Sequence, residues 1–197
     1  AEQRREAARA RSRPHVPAGP EDLGAGLRCS GGRVPMTGRG YNSNYQIFQT
    51  ADYVAIRVEN IHDVRIIPLD GRAQLDDGVR QWNGDSRGHW EGDTLVVETR
   101  NFTDRTASFS PSVRSSIGTG TTLHLTERFS RLDADTLLYE FTVDDAASFT
   151  GPFTAALPMK RGGAPMFEYA CHEGNIGLHG ILAGARRLES QGQKLRP

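Results

Sequence analysis

The chain has 197 residues, of which 37 % are apolar, and its 24 Lys and Arg residues balance 24 Asp and Glu residues. That length suits one domain with a real core. Zero formal net charge lacks the basic footprint of a nucleic-acid binder, and no apolar run approaches the ~18–20 residues of a membrane-spanning helix.

The chain begins at Ala1, with neither an initiator Met nor a signal peptide, and is expected to be a processed or trimmed product. Residues 1–13, AEQRREAARARSR, are good helix formers without an apolar stripe wide enough to bury. Such a segment is a solvated helix or a frayed tail. Residues 14–40 are rich in Pro and Gly and read as an irregular lead-in. Residues 1–40 thus form a helical and irregular N-terminal stretch, 41–190 the β domain with its C-terminal helix, and 191–197 a tail.

Strand character starts at Tyr45. In YVAIRVE, Val54, Ile56 and Val58 share one face, with Arg57 and Glu59 on the other. HDVRIIPL follows, with His62, Val64 and Ile66 expected on one face and a turn at Asp70-Gly71. Two hairpins come next. HWEGDTLVVETRNF turns at Glu91-Gly92-Asp93, and TLHLTERFSRLDADTLLYEFTVDD turns at Asp133-Ala134-Asp135. Leu137, Tyr139, Phe141 and Val143 make one apolar face. FTAALPM and MFEYACHE are expected as two further strands. Leu178, Ile181, Leu182, Ala185 and Leu188 then change to helical spacing, with Asn175 as N-cap, and the helix is expected on the outside of the sheet. Two connections are long: GRAQLDDGVRQWNGDSRG, and DRTASFSPSVRSSIGTG with Phe109 its one large anchor. The whole reads as all-β, an antiparallel meander closing into a lipocalin-like barrel of about eight or nine strands.

Cys29 and Cys171 are the two cysteines. They are either buried thiols or a disulfide tying the N-terminal segment to the last strand. A lone bridge of this kind suits an exported protein, periplasmic or secreted.

The stretches YNSNYQIFQT, IHDVRIIPLDGR, QWNGDSRGHWEGDTLVVETRNFTD, ERFSRLDADTLLYEFTVDD and YACHEGNIGLHGILAGAR cover most of residues 41–187. In them the chain resembles a group of uncharacterised exported bacterial proteins. The resemblance implies export, and a further N-terminal portion in many members. It implies no catalytic residues. Ser43 and His89 depart from the group's pattern, where Asn and Arg are expected.

Four clusters carry chemistry. His62 and Asp63 form a His-acid pair, and His62 is a titratable group of the barrel interior if its face points inward. His172 and Glu173 form a second pair at the end of the last strand, beside Asn175 and a helix N-terminus. Their structural alternatives are a core histidine and a polar helix cap. Trp82, Asp85, Arg87, His89 and Trp90 lie together: Asp85 and Arg87 either order the long loop as an ion pair or bind a ligand carboxylate against Trp82. Glu127 shares the apolar face of Leu123, Leu125 and Phe129, so it is either paired with Arg57 or Arg65 or free to act as a general acid. A metal is left open on His62, His172 and Glu173 with Asp63 or His124, although no metal-binding spacing is present. No cofactor is predicted. Asn101 opens an N-glycosylation triplet, NFT.

The leading expectation is a small-molecule-binding β-barrel for a hydrophobic, aromatic or sugar-derived ligand, with Trp82, Asp85, Arg87, Trp90 and Asn175 as binding residues. An acid–base hydrolase, lyase or isomerase is the alternative, with His62, Asp63, Glu127, His172 and Glu173 as catalytic residues. An interaction module of a larger exported protein is the third, marked by an exposed apolar strip.

Overall fold

A computed structural model describes residues 16–23, 26–29, 34–38, 42–103 and 121–192. The expected N-terminal helix, the 104–120 connection with Phe109, and residues 193–197 lie outside them. Among the described residues, eight strands and one α-helix form. The strands are β1 (Tyr45–Gln49), β2 (Tyr53–Val58), β3 (Val64–Pro68), β4 (Asp85–Glu91), β5 (Thr94–Arg100), β6 (His124–Asp133), β7 (Thr136–Asp144) and β8 (Phe153–Lys160). The helix α1 spans Ile176–Ser190. No helix among the described residues is long and apolar enough to cross a membrane.

Every strand pair is antiparallel and sequential, as a meander requires, but the strands fall into two sheets, β1-β2-β3 and β4-β5-β6-β7-β8. No closed barrel is found among the described residues. Between β3 and β4 the ladder stops. There the two sheets meet through side chains: a Cβ on Gly88 would lie 2.8 Å from Ile67 Cγ2 and 2.8 Å from Leu69 Cδ2. The core is common to both sheets. Val54, Ile56 and Ile67 from the first pack with Leu95, Val97, Leu125, Phe129, Tyr139, Phe141 and Val143 from the second.

Hairpin turns follow local chemistry. At the β4–β5 tip, Gly92 has φ +58°, the left-handed region that glycine enters without penalty. The β6–β7 pairing shifts register between Arg131 and Asp133, just before its acidic turn.

Four expectations change. On β3 the inward residues are Arg65 and Ile67, because they stand opposite buried Ile56 and Val54; Val64 and Ile66 face out. His62 lies in a 3-10 turn before β3 and is exposed. Glu59 is buried, because β2 ends at Val58 and the chain turns there. MFEYACHE forms no strand. Its backbone is held by single contacts instead: Phe167 N–H to Glu59 Oε1 (3.5 Å) and the Tyr169 carbonyl to the His62 ring (3.2 Å).

The Cys29–Cys171 disulfide forms and closes a loop of 142 residues. In the chain-entropy picture so long a loop stabilises by up to about 4–5 kcal/mol. The bridge lies beside the start of α1, with the Asn175 amide 3.5 Å from Cys29 Sγ. Asn175 caps the helix, accepting from Leu178 N–H at 3.3 Å, and its amide donates to the Leu27 carbonyl at 2.7 Å. Arg186 donates to the carbonyls of Ala18 (2.6 Å) and Pro17 (3.0 Å). The expected apolar stripe is present, but these bonds hold the helix to the N-terminal lead-in rather than on the sheet.

Gly88→Ala drives a methyl into Ile67 and Leu69. The expected cost is about 1–3 kcal/mol, the usual range for overpacking. Urea unfolding of the variant measures it, and an unchanged midpoint would show that the two sheets are not closely packed at this point.

Candidate functional site

A buried polar cluster sits between the sheets. Arg65 grips Glu127 with two bonds, Nη1 to Oε2 at 2.5 Å and Nη2 to Oε1 at 3.1 Å. Tyr139 donates its hydroxyl to Glu127 Oε1 at 2.7 Å and accepts from Met36 N–H at 3.0 Å. Glu127 and Tyr139 are both 0 % exposed. Of the two partners considered for Glu127, the register selects Arg65, since Arg65 points inward and Arg57 outward. Burial weakens the Arg65 charge, but the Glu127 carboxylate outweighs it and holds the guanidinium above its ordinary value. Burial, then the Glu127 charge, pushes the Tyr139 hydroxyl well above the usual tyrosine range. A water-sized cavity of about 20 Å³ adjoins Arg65, Met36 and Asn83. Glu127 therefore has no face left for a substrate, and side chains fill the space beside it.

Arg65→Met alone leaves Glu127 buried without its cation, at an expected cost of about 3–5 kcal/mol; adding Glu127→Leu recovers most of it. Urea melts of both single variants and the double decide, and strictly additive losses would show that the two groups are uncoupled. The Tyr139 shift has a sign. The folded chain holds that proton more tightly than the unfolded chain, so its contribution is fully present below about pH 10 and is lost as pH rises further. Tyr139→Phe is expected to flatten the alkaline loss of stability above about pH 10. Melting curves at stepped pH test this; parallel curves for the two proteins contradict it.

The two His-acid pairs are less organised. Ile61 (φ +66°) and His62 (φ +47°) are consecutive left-handed residues, a conformation that a β-branched Ile rarely adopts. The turn is held by its neighbours: Asn44 donates to Glu59 Oε2 at 2.7 Å, and Asn83 donates to Asp63 Oδ2 at 2.6 Å. His172 and Glu173 are exposed. His62 touches the Tyr169 carbonyl, which brings the second pair's segment near, yet no side-chain bond joins the pairs among the described residues. His124 is exposed on the outer face of β6, opposite Asp144. No group of three His, Cys, Asp or Glu side chains among the described residues is placed to hold a metal.

Asp85 and Arg87 order the long loop. Arg87 Nη1 donates to Asp85 Oδ1 at 2.5 Å and its Nε to the Ala73 carbonyl at 3.0 Å. Leu75 N–H donates to Asp85 Oδ2 at 2.8 Å. Asn101 is buried, and its amide donates to the carbonyls of Leu75 (2.9 Å) and Asp76 (3.2 Å). The nitrogen that a glycan would need is inside the fold. Trp82 stays partly exposed on the same loop.

Trp90 has a different setting. By register it shares the inward row of Leu95, Phe129 and Tyr139. It stands at the row's end, where the core opens, and is 45 % exposed. Around it lies an open groove of about 670 Å³, lined by Gln49 from β1, Asp93 from the β4–β5 turn, and Arg131, Leu132 and Asp133 from the end of β6. Arg131 Nη1 donates to the Ala134 carbonyl at 3.0 Å. Asp133 accepts from Asp135 N–H at 2.8 Å. That amide, followed by the Thr136 hydroxyl, holds the Asp133 carboxyl below the usual range, so it is an acceptor at neutral pH. Close by, the guanidinium of Arg128 and then His89 lower Glu91.

Of the residues singled out in the sequence, only Trp90 lines this groove. Asp93 and Asp133 read there as turn residues, and Gln49, Arg131 and Leu132 carry no motif. One signal was present: in an up-and-down meander, alternate hairpin tips share one end of the sheet, so the two acidic turns had to be neighbours. Comparison with known proteins found no matching family model, no matching curated protein and no matching solved structure.

Proposed function

We propose that this protein binds a small molecule, a sugar-derived ring, in the groove at the hairpin tips, with Trp90 as the stacking wall. The observation that carries the reading is the half-exposed indole of Trp90 set in a groove of about 670 Å³. Ligand sites of about 300–1,000 Å³ typically combine an aromatic wall with a few placed polar groups. The C–H face of a pyranose stacks on an indole. Its hydroxyls then meet the carboxylates of Asp93 and Asp133, the Gln49 amide and the Arg131 guanidinium.

In this reading the two sheets are the walls of an open, lipocalin-like barrel, and the ligand occupies its mouth rather than its lumen. Glu127, Arg65, Tyr139 and Phe141 fill the lumen, which speaks against an apolar guest there. The acid–base reading lacks assembled machinery among the described residues, since the two His-acid pairs share no bond. We infer export to an oxidising compartment from the Cys29–Cys171 bridge.

Calorimetric titration with neutral, acidic and amino sugars tests the binding. Trp90→Ala is expected to weaken the best of them by at least about tenfold, about 1.4 kcal/mol, while Trp82→Ala leaves it unchanged. No binding by any sugar at millimolar concentration would overturn the reading, as would equal losses in the two variants.

A further inference from the structure

We propose that the Cys29–Cys171 bridge is a site of thiol–disulfide exchange with a fixed direction: a small thiolate attacks Sγ of Cys171, and Cys29 leaves as a thiolate held by the Asn175 amide. The two sulfurs have different settings. Cys29 is buried, whereas Cys171 is half-buried and lies between exposed Ala170 and exposed His172. No strand or helix contains Cys171. It belongs to a turn, where its N–H donates to the Tyr169 carbonyl at 3.0 Å. Exchange depends on which sulfur a thiolate can reach, and displacement runs in line, from the side opposite the leaving sulfur. Cys171 offers that access to a small thiol. At Cys29 burial closes it.

Access selects the sulfur attacked, and the leaving sulfur needs support of its own. A charge inside the fold is penalised unless a donor meets it. Asn175 supplies the donor. Its Nδ2 donates to the Leu27 carbonyl at 2.7 Å and lies 3.5 Å from Cys29 Sγ, so its two N–H groups serve both acceptors. Asn175 is fixed in place, since its Oδ1 caps α1 through Leu178 N–H. A contact to a neutral disulfide sulfur is weak, and it strengthens as that sulfur gains charge. It therefore favours the transition state over the intact bridge. Arg28 carries a cation one residue away, and its buried Nε has no hydrogen-bond partner among the described residues. Cys29 itself sits at φ +53°, in the left-handed region that a residue with a Cβ enters at a cost. Strained or exposed bridges are the ones that exchange.

The step balances. The thiol RSH loses its proton to solvent, and RS⁻ forms a bond to Cys171 Sγ. The Sγ–Sγ bond breaks, its electron pair stays on Cys29, and that thiolate then takes a proton from water. A second RSH repeats the displacement on the mixed disulfide, giving RSSR and two cysteine thiols. The small thiol loses two electrons and the bridge gains them. Opening removes the covalent closure of the 142-residue loop and leaves the hydrogen bonds of Asn175 and Arg186 to hold α1 on the lead-in.

The test treats the full, unreduced chain with excess β-mercaptoethanol, quenches in acid, marks freed thiols with N-ethylmaleimide and maps the peptides by mass spectrometry. In the folded chain, mercaptoethanol on Cys171 with maleimide on Cys29 is expected to exceed the reverse by at least about tenfold. The urea-unfolded chain is expected to carry both arrangements, because both sulfurs are then open. Asn175→Ser keeps an N-cap oxygen and removes the amide donor. It is expected to slow the folded reaction by about tenfold and to leave the unfolded one unchanged, with circular dichroism confirming that α1 is retained. The mapping on the wild type needs no variant. A folded bridge that the thiol leaves intact overturns the proposal, as does mercaptoethanol found equally on both cysteines or mainly on Cys29. An Asn175→Ser chain that retains α1 and exchanges as fast as the wild type overturns it as well.

Discussion

The Arg65–Glu127 pair decides how the two sheets face each other. Arg65 comes from β3 and Glu127 from β6, and both of their ladders end in the same core. Removing two charges from water costs several kcal/mol for each ion, and their attraction offsets this only when geometry is good and the remaining lone pairs are filled. Here two Arg65 bonds and the Tyr139 hydroxyl occupy most of the carboxylate's acceptor sites. The arrangement is a specifying one. A one-residue slip of β3 would turn Val64 and Ile66 inward but Ile67 outward, and it would leave Glu127 in the core without a cation. The last effect is the largest, because an uncompensated buried charge costs more than this exchange of aliphatic side chains gains. The exposure of Val64 and Ile66 on the first sheet thus accompanies the inward turn of Arg65.

The same network anchors the described part of the lead-in. Met36 reaches the core by donating to Tyr139, and the lead-in before it is joined to the segment after β8 by the disulfide. Arg186 then fixes α1 to Pro17 and Ala18. The turn at residues 59–63 contributes from the other side, since Glu59 and His62 hold the backbone of Phe167 and Tyr169. Left-handed Ile61 is tolerated because these contacts over-determine the turn.

The polar residues divide by setting. Asp85, Arg87 and Asn101 bond the backbone of residues 73–76 and so hold this largely exposed loop on the second sheet. At the β6–β7 tip Arg131 and Asp133 bond the backbone of their own turn. The Asp93 and Asp133 carboxylates, the Arg131 guanidinium and the Trp90 ring border open space at the end of the sheet. Loops that the scaffold positions but does not consume are where ligands usually meet a β fold.

Much of the fold was legible residue by residue. Period-two alternation located the strands and the inward faces of β2, β6 and β7, because each has one wet and one dry side. Acidic and Gly-bearing turns placed both hairpins, and helical spacing with Asn175 placed α1. These are local signals, and local propensity wrote them into the chain. The sequence also narrowed Glu127 to a paired or a reactive carboxylate and the cysteines to thiols or a bridge. Tertiary structure chose between those alternatives, since each choice depends on what lies across the core. It alone decided that β3 turns Arg65 inward, that MFEYACHE is no strand, that the helix joins the lead-in, and that Gln49, Trp90, Asp93 and Arg131 share one groove. Each of these depends on contacts between residues far apart in the chain, where burial and charge pairing outweigh the periodicity of any single segment.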